Sequence, residues 1–176
     1  MSSIYDPVEC DLEAFCETYV LCPELWEKFN LDNLSIDFSK WDYVQMMDDR
    51  GNLNVDVDNI PDSVGGIYVY AIVPPVIPIC GSYIMYVGKA SKTEHENLRS
   101  RVKSYKYCFS DAKKRPRLYR LFKKWGKYVQ VCYLPVNSTN EEITELEDRL
   151  IATFGLPPCN SDIQVESVKV AVKAFR

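Results

Sequence analysis

The chain has 176 residues, 47% of them hydrophobic, which suits one domain, or one domain with an extension, around a buried core. Its seven cysteines are odd in number and contain no C-x-x-C pair, so neither a disulfide frame nor a zinc site is expected; with no basic start leading into an apolar segment, a reducing, cytoplasmic setting is expected. The net charge of −4 hides a division: residues 1–62 carry fifteen Asp/Glu against three Lys/Arg (−12), residues 89–127 fourteen Lys/Arg against three acids (+11), and residues 128–176 four against seven (−3).

In chain order, 11–21 and 23–29 read as two amphipathic helices, and a looser acidic stretch leads to Ile60-Pro61. Residues 1–62 are expected to form an acidic helical extension that packs on the rest of the chain or on a second subunit. It is too acidic to hold a phosphate backbone, although it could shield the basic segment until a polyanion displaces it. From Ser63 to Gly88 no residue is charged. That length could span a bilayer, for which about 20 apolar residues suffice. Pro74, Pro75 and Pro78 argue against a helix there, since each removes a backbone donor and clashes with the preceding turn. No membrane segment is expected. Gly66-Ile67-Tyr68-Val69-Tyr70-Ala71-Ile72-Val73 and Tyr83-Ile84-Met85-Tyr86-Val87 have the β-branched and aromatic content of two antiparallel strands joined by a long connection.

The basic segment opens at Lys89. A helix is predicted over 96–109, with Leu98, Val102, Tyr105 and Phe109 on its apolar face and Arg101 at the edge of that face, one turn before Tyr105. A second basic helix is predicted over 117–125, ending at Gly126 in a left-handed cap. Such a concentration of cations suits either a solvated pair of helices or a polyanion-binding face. A third strand is predicted over 128–134. The lone histidine, His95, lies in a polar stretch and reads as a surface residue.

Asn137-Ser138-Thr139-Asn140 supplies N-cap candidates for the next helix, and Glu141 and Glu142 favour its N-terminus. Its core face is Ile143, Leu146, Leu150, Ile151 and Phe154. Glu147 falls within that stripe, whereas Glu141, Glu145, Asp148 and Arg149 point outward. An inward carboxylate is costly unless paired or bound to a cation, so Glu147 is either the partner of an arginine such as Arg101 or a metal ligand. After the helix, Pro157-Pro158 stiffen a turn that presents Asn160, whose amide could donate to a phosphate or cap the next element.

Taken together, Gly66-Ile67-Tyr68, then Tyr86-Val87-Gly88 followed by Lys89-Ala90, then the arginine helix 97–105, Leu146 to Ile151 around Glu147, and Pro157-Pro158-Cys159-Asn160 resemble the GIY-YIG nuclease superfamily over residues 63–160. The stretch from Tyr86 to Tyr105 looks especially like the nuclease half of the bacterial excision-repair incision subunit. The long spacer between Tyr68 and Tyr86, and the insertion 91–96, are similar to those of the restriction enzymes of the superfamily. The resemblance implies an α+β domain, 63–176, with a three-stranded antiparallel sheet flanked by helices. It brings Tyr68, Tyr86, Arg101, Glu147 and Asn160 to one site, with Lys89 and Tyr105 beside them.

The implied activity is Mg²⁺-dependent (or Mn²⁺-dependent) endonucleolytic hydrolysis of DNA, with double-stranded DNA the expected partner. Glu147 would hold a single metal ion, which tolerates one protein ligand when waters and phosphate complete its shell. Arg101 would neutralise phosphate charge. Tyr68 is the expected general base, its phenolate favoured by Lys89 and Arg101, with Tyr86 orienting the water. Lys89, Arg99, Lys103, Lys106, Lys113, Lys114, Arg115 and Arg117 are the expected DNA contacts. The alternatives are a DNA-binding module that keeps the fold without catalysis and a protein-interaction domain that uses the acidic arm; a homodimer fits either nuclease or module.

Overall fold

Two-residue alternation along the strands sets the centre of the molecule. The structure, a computed structural model, describes residues 38–75, 81–166 and 169–170. The two helices predicted over 11–21 and 23–29 lie outside the described residues. A strand β1 (Asp42–Gln45) is followed by β2 (Gly65–Ile72) and β3 (Tyr83–Ala90). Helix α1 (Leu98–Ser104) runs into a single 3-10 turn over Tyr105–Phe109, and α2 (Pro116–Trp125) runs into another over Gly126–Tyr128. Strand β4 (Val129–Val136) and helix α3 (Asn140–Thr153) complete the order.

Among the described residues the sheet has four strands, in the order β1-β4-β2-β3, all antiparallel, which corrects the expected three. The additional strand comes from residues 42–45, inside the stretch read as an acidic helical extension, and it pairs with β4 from Asp42↔Tyr133 to Gln45↔Gln130. Val44 is buried, and the Tyr133 hydroxyl donates to Asp42 Oδ2 at 3.1 Å.

Every residue of β2 is buried, because alternate side chains feed two cores on opposite faces of the sheet. Ile67 and Val69 pack with Val87, Leu134, Ile143 and Leu146 under α3. Tyr68 and Tyr70 pack with Tyr86, Leu98, Val102, Tyr105, Leu118 and Phe122 under α1 and α2. Each fully buried aliphatic of these cores contributes about 1.5–3 kcal/mol relative to exposure.

The helix ends follow local chemistry. Asn97 caps α1 by accepting from the Ser100 N–H while Ser100 Oγ accepts from the Asn97 N–H, and Thr139 and Glu142 do the same for α3. The α-helix predicted over 96–109 is shorter, since the chain tightens at Tyr105. Gly126 is not a left-handed cap: its backbone is right-handed (φ −48°, ψ −42°) and continues the helix into the 3-10 turn. Its smallness serves packing, because a Cβ there would lie 2.5 Å from Met47 Sδ.

Candidate active site

The two tripeptides owe their glycines to contacts. Gly66 has φ +151°, and a Cβ on it would stand 2.2 Å from the Leu134 carbonyl oxygen, so only glycine lets β2 lie against β4 there. Gly88 faces Tyr68 across the β2–β3 ladder, and a Cβ on it would meet Tyr68 Cζ and Oη at 2.5 Å and Tyr86 Cε1 at 2.7 Å. The bare backbone of Gly88 is therefore the floor on which the Tyr68 ring lies.

From this floor the tyrosines converge. The Tyr68 hydroxyl donates to Tyr105 Oη at 2.8 Å, and Tyr105 Oη and Tyr86 Oη are 3.1 Å apart, giving three phenols in a chain. Tyr68 has no solvent exposure, and Tyr86, at the other end, lines the cleft described below. Burial, reinforced by the neighbouring phenols, pushes the Tyr68 hydroxyl well above its ordinary value of 10 and raises Tyr105 as well. This corrects the expected stabilisation of a Tyr68 phenolate. Lys89 is no help to Tyr68, for alternation along β3 sends its side chain to the opposite face, where its ammonium donates to Thr144 Oγ1 on α3.

Two guanidinium groups flank the central phenol. Arg101 Cζ and Arg115 Cζ each lie 5.5 Å from the Tyr105 ring centroid, within range of cation–π attraction. Arg101 takes its place at the edge of the α1 apolar face, and its Nε is buried with no hydrogen-bond partner among the described residues. Its ion-pair partner is Glu96, 3.6 Å from Nη1, and not Glu147. Glu96 also accepts from the Ser91 N–H at 2.8 Å and so closes the insertion 91–96 on itself. Arg115 Nη1 donates to Tyr86 Oη at 3.2 Å. The sequence marks Arg115 only as one of several expected DNA contacts and does not mark Glu96 at all; neither carries a periodicity that would set it apart. His95 is exposed, as expected.

A cleft of about 580 Å³ opens beside β3, lined by Tyr86, Lys114, Arg115, Arg117, Glu147, Asp148 and Asn160 among others. Glu147 is half-buried at this edge. Burial raises its carboxyl above the ordinary glutamate range and Asp148 adds to the rise, against the pull of the Lys89 charge and backbone N–H and of Arg101. Asp148, expected to point outward, is partly buried on the same cleft, and burial raises its carboxyl too. Among the described residues no three of His, Cys, Asp or Glu cluster as a ready-made metal cage. What the edge offers a cation is oxygen from Glu147, with Asp148 adjacent, the donor type that Mg²⁺ takes while retaining waters.

Asn160 has a different task from donating to a phosphate. Its Oδ1 accepts from the Val87 N–H at 2.9 Å and its Nδ2 donates to the Val87 carbonyl at 2.8 Å, while the Cys159 N–H donates to the Met85 carbonyl at 2.7 Å. Among the described residues β3 is an edge strand, and the Cys159–Asn160 turn engages three of its outward backbone groups, the Met85 carbonyl and the N–H and carbonyl of Val87. Arg117 Nη1 locks that turn by donating to the carbonyls of Pro158 (3.2 Å) and Asn160 (2.6 Å).

Of the other expected DNA contacts, Arg99 donates to the Ile60 carbonyl (2.6 Å) and pairs with Asp62 (2.8 Å), and Lys103 pairs with Asp58. Lys106, Lys113 and Lys114 are exposed, with Lys114 Nζ 5.9 Å from the Tyr107 ring centroid. No helix among the described residues is long and apolar enough to cross a membrane. No protein-family model, curated protein or solved structure matches the chain.

Proposed function

We propose that the chain is a DNA endonuclease of the GIY-YIG type, dependent on Mg²⁺ or Mn²⁺. The observation that carries this reading is the chain of phenols, Tyr68–Tyr105–Tyr86, flanked by two arginines and opening at Tyr86 onto a cleft that holds one half-buried carboxylate. Phosphodiester hydrolysis needs a proton taken from water, charge neutralised on the phosphate oxygens and a proton returned to the leaving oxygen. Glu147 would hold the divalent ion, which when bound neutralises phosphate charge. Arg101 and Arg115 supply fixed positive charge on the tyrosine side. Tyr86, the phenol on the cleft, is the group placed to meet the water: as the phenolate, faced by Arg115 Nη1, it would take the proton as the water oxygen bonds phosphorus and return it to the leaving oxygen as that P–O bond breaks, while Tyr105 and Tyr68 behind it stay protonated and hold its place by hydrogen bonds. Asn160 holds β3, and with it Tyr86, in register.

A second reading, a DNA-binding module of the same fold without catalysis, draws on the burial of Tyr68 and Tyr105, whose hydroxyls face other phenols and not the cleft. Incubation with supercoiled plasmid and with linear, branched and single-stranded DNA in Mg²⁺ separates the two. Relaxation or cutting by the native chain, abolished in Glu147→Ala and reduced about 10²-fold in Tyr68→Phe, supports the enzyme. Binding without cleavage on every substrate overturns it in favour of the module.

A further inference from the structure

We infer that Arg115 contacts the DNA phosphate in the cleft, as a second phosphate-binding guanidinium that also fixes Tyr86. The inference rests on the nuclease reading for its catalytic part only. Four observations bear on it. Arg115 comes from a loop whose neighbours Lys113 and Lys114 are exposed, yet it turns inward and is half-buried, which costs a guanidinium unless it gains partners. One partner is the Tyr86 hydroxyl, 3.2 Å from Nη1. A second is the face of Tyr105, whose hydroxyl bonds both other phenols. Finally, Arg115 lines the same cleft as Glu147.

A guanidinium carries five donors in a planar fork, and the Tyr86 contact uses one. The neighbouring N–H groups of the fork suit a pair of non-bridging phosphate oxygens, held in the bidentate manner that arginine favours. With Arg101 against the same ring, the two cations would bracket the tyrosine chain, and Arg115 would share its cleft with Glu147. Arg117, two residues on, spends its Nη1 on the carbonyls of Pro158 and Asn160 and, among the described residues, makes none of the tyrosine contacts seen for Arg115.

The test measures binding and cutting separately on one fluorescein-labelled duplex of mixed sequence. Binding is titrated over a range of salt with Ca²⁺ in place of Mg²⁺, and cleavage is followed in single turnover with Mg²⁺. For Arg115→Gln the expected result is a salt slope of log affinity lower by about 0.9 than that of the native chain, the loss of one phosphate contact. Single-turnover cleavage should fall at least about tenfold further than the affinity loss explains. Arg115→Lys should keep the salt slope but not the cleavage rate, because an ammonium cannot bond Tyr86 and phosphate in one plane.

An unchanged slope in Arg115→Gln overturns the phosphate contact. If the native chain cuts nothing while the slope still falls, the nuclease reading fails and the phosphate contact stands. If Arg115→Gln melts below the assay temperature, Arg115→Lys decides alone: native-like cleavage overturns the inference, and a loss of cutting at unchanged slope supports it.

Discussion

Replacing Gly88 by alanine adds one methyl group where the structure has no room for it. The new Cβ would sit 2.5 Å from Tyr68 Cζ and Oη and 2.7 Å from Tyr86 Cε1, against an optimal carbon separation of about 3.5–4.0 Å. Each contact is short by roughly 1 Å. The Gly88 backbone is ordinary, so the whole cost is overpacking, typically about 1–3 kcal/mol. The upper end applies here, because Tyr68 is fully buried and Tyr86 is 6% exposed, so neither ring has a free direction in which to retreat. For a chain of this length, 3 kcal/mol lowers the melting temperature by about 6–12 °C. A forced tilt of Tyr68 would also break its 2.8 Å bond to Tyr105. Thermal unfolding followed by circular dichroism measures the loss, and the double variant with Tyr68→Leu, which shortens the obstructing side chain, assigns it. The two changes should couple by at least about 1 kcal/mol. A Gly88→Ala protein within about 0.5 kcal/mol of native, or strictly additive changes, would refute the packing argument.

Three further outcomes are expected. Asn160→Ala orphans the Val87 N–H and carbonyl and should cost about 2–4 kcal/mol in urea unfolding; native stability with lost cleavage would instead make Asn160 a ligand-binding group. Tyr70 carries a fully buried hydroxyl without a hydrogen-bond partner among the described residues, so Tyr70→Phe should be neutral or raise stability by up to about 1 kcal/mol, and a clear loss in calorimetry would contradict this. Glu147 has a folded-state value raised above the ordinary 4.5, so its protonated form is favoured by folding, and the stability this confers at low pH is lost as pH rises through the raised value. Metal-free Glu147→Gln should therefore melt higher than the native chain at neutral pH, with the gap closing toward pH 4.5; calorimetry across pH finding a constant gap would be evidence against a buried carboxylate.

Elements whose signal is periodic were legible in the sequence. β2, β3 and β4 show their strand content, and α3 shows its face, because side chains two or 3.6 residues apart share a surface. The meeting of Tyr68 and Tyr86 is implied by the family resemblance alone, since alternation within each strand does not set the register that puts the two on one face. β1 was not legible: four residues, two of them exposed, make no pattern, and their acidic surroundings suggested an arm. Gly126 showed that a glycine at a helix end can answer a steric demand from a distant residue, Met47, instead of a local one. Arg115 was recognisable as a cation but not as a neighbour of Tyr86, since that contact is made across 29 residues by the return of the chain into α2. Within the basic residues 89–127, Lys103 and Arg99 have partners that no periodicity announces: Asp58, Asp62 and the Ile60 carbonyl, all from the stretch before β2.

The turn at Cys159–Asn160 has a consequence beyond the site. A sheet edge with open N–H and C=O groups is a template for joining another chain's strand. β3 is such an edge, and the segment that seals it is an asparagine amide and one backbone N–H rather than a full strand. Loosening this short seal would free Met85 and Val87 to recruit strands from other molecules, so solubility and the alignment of Tyr86 depend on the same few hydrogen bonds.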